Sequence, residues 1–120
     1  MQTGEIWLAN LNPSKGIEPG KMRPVLIVQN QVLIDVEHPS TIIIPLTTNL
    51  VDDASPLRIR VHRQDKLEKD SDLLIDQIRV IDNKRLIAGP LMQLPLEQLD
   101  VVYRALLEVM GMTGYQLQTH

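Results

Sequence analysis

The 120-residue chain has no cysteine and no phenylalanine, and only three aromatic side chains: Trp7, Tyr103 and Tyr115. Lack of cysteine excludes disulfides and thiolate metal sites, and is compatible with a reducing cytoplasm. The shortage of aromatics leaves almost no base-stacking platform of the kind most single-strand binders use, so aliphatic residues and methionine have to fill the core. No apolar run is long enough to span a membrane. Met1-Gln2-Thr3-Gly4-Glu5 does not read as a secretory signal, which needs a basic segment followed by an apolar one. The expectation is a soluble, cytoplasmic protein with no membrane association. Basic charge is also scarce. A net charge of -3 and a pI near 5.5 argue against broad, non-specific nucleic-acid binding, but they leave room for a local basic groove. There is no P-loop, GxGxxG or Ser/His/Asp arrangement. His38, His62 and His120 lack ligand spacing, so neither a cofactor nor a metal site is expected.

Short apolar runs bounded by turn residues are abundant. Glu5 to Ala9, Arg23 to Gln29, Thr41 to Leu46 and Leu57 to His62 read as strands. The same reading gives a long strand from Asp72 to Asp82 and another from Leu86 to Gln93, interrupted at Gly89-Pro90. Asn10 to Met22, with two prolines and two glycines, is a long loop, and loops of that length are often functional. Leu57, Ile59 and Val61 alternate with Arg58, Arg60 and His62, which predicts an apolar face and a basic one. Leu96 to Met110 has helical spacing, with Leu96, Leu99, Tyr103, Leu106 and Met110 as its core stripe. Pro95 stands where a side-chain cap is usual, and Gly111 is placed to end the helix in a Schellman turn. A run of short strands followed by one helix predicts a mainly β fold, a small barrel of strongly bent antiparallel sheets with a C-terminal α-helix. One domain is expected over residues 1–112, followed by a loose tail over 113–120.

Two apolar strands have unexpected polar ends. Arg23 opens Pro24-Val25-Leu26-Ile27-Val28, and Thr47-Thr48 closes Ile42-Ile43-Ile44-Pro45-Leu46. Burying an arginine costs free energy, and its fork matches phosphate or carboxylate. Side by side, the two strand ends would form a small anion site. The plainer readings are an arginine whose stem covers apolar surface and a strand-end turn bonded by Thr47, Thr48 and Asn49. Asp76, inside an apolar run, would need a partner such as Arg23 or a backbone donor, or would read a substrate base. Alternation puts Gln77 and Arg79 on the opposite face.

The order of these motifs resembles that of the MazF/PemK family of toxin endoribonucleases from type II toxin–antitoxin systems. The match runs through Gly4-Glu5-Ile6-Trp7, Asn12-Pro13, Gly16-Ile17-Glu18-Pro19-Gly20, Arg23-Pro24-Val25-Leu26, Pro45-Leu46-Thr47, Asp76-Gln77-Ile78-Arg79 and the terminal helix. The resemblance implies an SH3-like (CcdB-like) barrel and a homodimer with an RNA groove. It also implies sequence-specific, metal-independent cleavage of single-stranded RNA, and a cognate antitoxin whose disordered acidic tail blocks the groove. On that resemblance Arg23 and Thr47 are the catalytic pair, and Glu18, Asp76, Gln77 and Arg79 line the RNA path. Lys15, Lys21, Arg58 and Arg79 are expected to contact phosphates, Asn49 to bond base edges, and Thr48 to bind RNA beside Thr47. Ile17 and Pro19 depart from the family's loop pattern. Two other readings share the fold: a non-catalytic, CcdB-like gyrase poison, and an inactive SH3-like binding module.

Overall fold

The structure, a computed structural model, describes residues 1–11 and 22–112. Most of the Asn10–Met22 loop, with Glu18 and Lys21, and the tail after residue 112 lie outside the described residues. Seven strands follow in chain order: β1 (Glu5–Asn10), β2 (Met22–Ile27), β3 (Ser40–Thr47), β4 (Arg58–Val61), β5 (Ser71–Leu74), β6 (Arg79–Asp82) and β7 (Leu86–Gln93). Between β2 and β3 sits a single helical turn, α1 (Gln31–Asp35), capped by the Asn30 side chain accepting from the Val32 N–H. The long helix α2 (Leu96–Val109) comes last.

The strands form one antiparallel sheet in the order β4-β5-β3-β2-β1-β7, with β6 also paired to β3. The sheet is mainly β with a terminal helix, as expected, but it is open: its outer strands β4 and β7 do not pair with each other. The continuous apolar runs of β2 and β3 serve two faces at once. Leu26, Ile44 and Leu46 face α2 and pack with Ile6, Leu73, Leu99, Val102 and Leu106. Their neighbours Val25, Ile27 and Ile43 pack on the other side with Ala9 and Ile81, under Trp7 and Leu86. A strand covered on both faces loses the apolar–polar alternation of a half-exposed one, so these two segments read as unbroken runs.

β3 carries the bend. Its first half, Ser40–Ile43, pairs with β6 on one edge and its middle, Ile43–Pro45, with β2 on the other, whereas Leu46 and Thr47 pair with Leu73 and Asp72 of β5. The expected single strand from Asp72 to Asp82 is therefore two strands on the same edge of β3. Leu46 lies opposite Leu73 and Ile43 opposite Arg79, so three extra residues are inserted between the two pairings. Those three form the 3-10 turn Ile75–Gln77, with Ile75 buried towards α2 and Asp76 and Gln77 turned out to solvent. The predicted alternation of Asp76 and Gln77 fails because a turn of three residues has no period of two.

The helix ends as its sequence implies. Pro95 offers no side-chain cap. At the other end the Gly111 N–H reaches the Glu108 carbonyl (3.0 Å) and the Met112 N–H reaches that of Leu107 (2.7 Å), a Schellman closure with Gly111 at φ 75°. The buried face differs from the expected stripe. Leu99, Val102, Ala105 and Leu106 are buried, while Leu96 (81% exposed), Tyr103 and Met110 face outwards. Burial of its ring pushes the Tyr103 phenol upward. β7 continues past Gly89-Pro90 as a strand, but its ladder to β1 is interrupted there as expected: Met92 lies opposite Ile6 and Ala88 opposite Leu8, so β7 carries two extra residues between the pairings. A Cβ on Gly89 would overlap the Trp7 ring, so glycine is what allows the indole to lie against the strand.

Candidate active site

Arg23 lies opposite Ala9 near the start of β2, where that strand is held only on its β1 side. The β2–β3 ladder is registered at Val25 with Pro45. Continuing that register by two residues sets Arg23 opposite Thr47. Pro45 is the last paired residue on this edge, and beyond it β3 turns to β5. Where the strands part, a cavity of about 240 Å³ opens, lined by Met22, Arg23, Pro24, Leu46, Thr47, Thr48 and Ser71. The two polar strand ends thus share one pocket. Pro24 and Pro45, both without an N–H, flank the place where the ladder stops.

Thr47 is half-buried, and its Oγ1 accepts the Asn49 N–H at 3.2 Å. The plain strand-end turn is therefore present. It also leaves the hydroxyl proton available, because a threonine oxygen that accepts one bond can still donate another. Arg23 is half-buried and forms no ion pair among the described residues. A fork of N–H donors and a hydroxyl donor around a small cavity suit a tetrahedral anion.

The outer face of the sheet beside Thr47 holds a network that the sequence did not reveal. Thr47 lies opposite Asp72, and Asp72 opposite Arg60. The Asp72 carboxylate, 1% exposed, accepts from Arg60 Nε (2.5 Å) and the Val51 N–H (2.9 Å), with Arg58 Nη1 at 3.5 Å. Arg58 also donates to the Asn49 carbonyl (2.9 Å), and Arg60 Nη2 reaches Asp52 (2.9 Å). Burial alone would raise the Asp72 carboxyl, and it is the largest single influence. The Arg60 fork, the Val51 N–H and Arg58 together outweigh it and hold the group below the usual carboxylate range. Asp72 and Asp52 in turn push the Arg60 guanidinium upward. The basic face predicted for β4 is thus not a solvated one. Arg58 and Arg60 are paired with Asp72 and Asp52 and tie down the Thr48–Asp52 loop that leaves Thr47. The expected role of Arg58 as a phosphate contact gives way to one of holding Asn49. Leu57, predicted to face the core, is 50% exposed because β4 begins only at Arg58. The available signal was a pair of arginines two residues apart on one strand face, which calls for a nearby carboxylate.

The remaining predicted residues are dispersed. Thr48 lines the cavity, and Asn49 is exposed beside it. Asp76, Gln77 and Arg79 are exposed and lie outside this cavity. Arg79 pairs opposite Ile43, four residues before Thr47, or about 13 Å along β3. The expected Asp76–Arg23 ion pair does not form among the described residues. On its exposed turn Asp76 is hydrated and needs no partner. Glu18 and Lys21 lie outside the described residues. No group of three His, Asp or Glu side chains suited to a metal ion occurs among the described residues.

Three comparisons with known proteins bear on the chain as a whole. Residues 2–110 match the family model of the PemK-like, MazF-like toxin of type II toxin–antitoxin systems. The Endoribonuclease MazF of Staphylococcus epidermidis is 36% identical over 88 residues, 72% of each chain. Among solved structures, a MazE–MazF complex from Deinococcus radiodurans (Form-II) superposes with a TM-score of 0.75 at 21% identity, covering 93% of this chain and 96% of that one. An endoribonuclease in complex with its cognate antitoxin, from a mycobacterial species, superposes with a TM-score of 0.72 at 19% identity, covering 92% and 95%.

Proposed function

Because the chain belongs to the PemK-like, MazF-like toxin family of type II toxin–antitoxin systems, we propose that it is an endoribonuclease that cuts single-stranded RNA, chiefly mRNA, at specific sequences. The convergence of Arg23 and Thr47 on one cavity carries this reading. The ribose 2′-OH attacks the adjacent phosphorus, the bond to the 5′ oxygen breaks, and the products end in a 2′,3′-cyclic phosphate and a 5′-OH. Charge then builds on the non-bridging oxygens. The Arg23 fork and the Thr47 hydroxyl are donors suited to hold it. Arg23 is already protonated at neutral pH and has no acceptor with which to remove the 2′ proton itself. It serves as an electrostatic clamp, while the 2′ proton leaves through water or substrate and the departing 5′ oxygen takes a proton by the same route.

Thr48, Asn49, Asp76, Gln77 and Arg79, with Glu18 and Lys21, form the RNA path in this proposal. The span of about 13 Å from Thr47 to Arg79 fits a short stretch of an extended strand. Recognition rests on base-edge hydrogen bonds, in keeping with the scarcity of aromatics. The active form is a homodimer of one toxin domain over residues 1–112. It acts in the cytoplasm and is restrained by an antitoxin with an acidic, disordered tail. The Endoribonuclease MazF relative supports the activity by its name, and the antitoxin-bound neighbours support the partner.

The test is cleavage of a long single-stranded RNA with and without chelator, with the cut sites mapped. The parental chain cuts at a short recurring sequence regardless of chelator. Arg23→Ala and Thr47→Ala each lose about 10²–10³ in rate, the usual cost of one oxyanion donor. Parental rates in both variants would remove the assignment.

A further inference from the structure

Next to the Arg23–Thr47 cavity lies a second of about 320 Å³, and Pro24, Thr48 and Ser71 line both. That volume is at the lower end of small-molecule pockets, which run from about 300 to 1,000 Å³. Its apolar lining comes from Leu8, Leu67 and Leu91, and Lys66, Glu68 and Lys69 supply its charge. The wall that bears these charges is fixed. Gln64 and Leu67 form a β-bridge, and Leu67 is 4% exposed within the core facing α2. The Lys66 N–H donates to the Leu91 carbonyl at 2.9 Å, and the Ser71 hydroxyl donates to the Lys69 carbonyl at 3.0 Å. The backbone is thus braced on both sides, while Lys66 and Lys69 are exposed.

We propose that this second cavity is a nucleotide subsite for the RNA residue flanking the scissile phosphate, a proposal that rests on the nuclease reading of Arg23 and Thr47. The base lies flat on Leu8 and Leu91. Lys66 and Lys69 each meet one of the next two phosphates. Glu68 accepts from an exocyclic amino group, which favours adenine, cytosine or guanine over uracil. An acidic peptide is the competing occupant, since it too would be drawn to two ammonium groups. Glu68 disfavours it, and a leucine-lined cavity joined directly to a phosphate-sized one suits a nucleotide. In a chain of net charge -3, two cations on one cavity form a local attraction for a polyanion.

The experiment measures binding of a mixed-sequence 2′-O-methyl RNA, which has no free 2′-OH and cannot be cut. Parental chain and K66A/K69A are compared from 50 to 200 mM salt, with a poly-glutamate peptide as the second probe. Both lysines are exposed, so thermal melts of the two proteins should coincide. Each lost single-strand phosphate contact lowers the salt slope by about 0.7. The double variant should bind more weakly at 50 mM, with a slope smaller by about 1.4. The gap between the two proteins should then narrow about seven-fold over the fourfold rise in salt. An unchanged slope and affinity, absence of RNA binding by the parental chain, or loss confined to poly-glutamate would each overturn the subsite. Cleavage of unmodified RNA is scored separately. Lysine-dependent binding without cleavage would sink the nuclease reading and leave only an RNA-binding cavity with no scissile phosphate beside it, and cleavage without lysine dependence would sink the subsite and leave the nuclease reading standing.

Discussion

Replacing Asp72 by alanine tests whether a buried carboxylate beside Thr47 holds this corner of the sheet. The change removes acceptors for Arg60 (2.5 Å), the Val51 N–H (2.9 Å) and Arg58 (3.5 Å) from a site that is 1% exposed. Breaking a fully buried ion pair costs about 3–5 kcal/mol, because it strands a charge. Here the two arginines are 28% and 25% exposed, and Arg60 keeps Asp52, so water can take over part of the loss. Hydrogen bonds involving a charged group contribute about 1.5–3 kcal/mol, and a net loss of about 2–3 kcal/mol follows for Asp72→Ala. At about 4 °C per kcal/mol for a domain of this size, the melting temperature should fall by about 8–12 °C. Asp72→Asn keeps an oxygen for the Val51 N–H and should lose about half as much. Circular dichroism melts at pH 7 measure both. Repeating them in 1 M salt separates a buried pair, which is screened little, from a surface one. A shift below about 2 °C, or one that vanishes in high salt, would refute the reasoning. Because Asp72 holds Val51 and its partner Arg58 holds Asn49, the variant should also loosen the loop after Thr47. Under the proposed mechanism, cleavage should then slow even at temperatures where the variant is folded.

Three further expectations follow from packing and charge. Leu99→Ala should cost about 2–4 kcal/mol by chemical denaturation, whereas Leu96→Ala, at a residue 81% exposed, should change stability by less than about 0.5 kcal/mol; the reverse order would restore the helix face that spacing alone suggested. Gly89→Ala would set a methyl group against the Trp7 ring. Overpacking of this type costs about 1–3 kcal/mol, and a shifted Trp7 emission spectrum together with a lower melting temperature would report it. Asp72 and Asp70 are both held below the usual carboxylate range. Asp70 is lowered chiefly by the Arg63 N–H, with His62 nearby. A carboxylate depressed in the folded state contributes stability that is fully present above its unfolded value, near 3.9. That stability is lost as pH falls through the folded value. Urea midpoints should therefore hold steady from pH 7 to about 5 and fall below about 4. Asp72→Asn should flatten that acid limb, and an unaltered acid limb in the variant would count against the linkage.

The strands from Arg23 and Thr41, the α2 helix, its uncapped start at Pro95 and its Gly111 ending were legible because each rests on neighbours within a few residues. Side-chain periodicity, the fixed φ of proline and the left-handed freedom of glycine are local properties. The polar ends at Arg23 and Thr47 were legible for the same reason: each breaks an apolar run at its edge. Their meeting was only a conditional reading, since it depended on two strands lying side by side. The Asp76–Gln77 segment was misread as strand because its apolar neighbours suit either a strand or a turn packed by Ile75. Only the register change against β3 distinguishes the two.

Sequence alone determined the mainly β character, the terminal helix and the two residue types offered to an anion. The tertiary structure decided what those residues face. Pro45 ends the β2–β3 ladder and β3 turns to β5, opening the cavity between Arg23 and Thr47. The same turn sets Asp72 opposite both Thr47 and Arg60, converting an apparently solvated basic face into the brace of the Thr47 loop. Strand pairing joins residues far apart in the chain, and its energy lies in the register rather than in any one segment. No local pattern in the sequence encodes which carboxylate will neutralise which arginine.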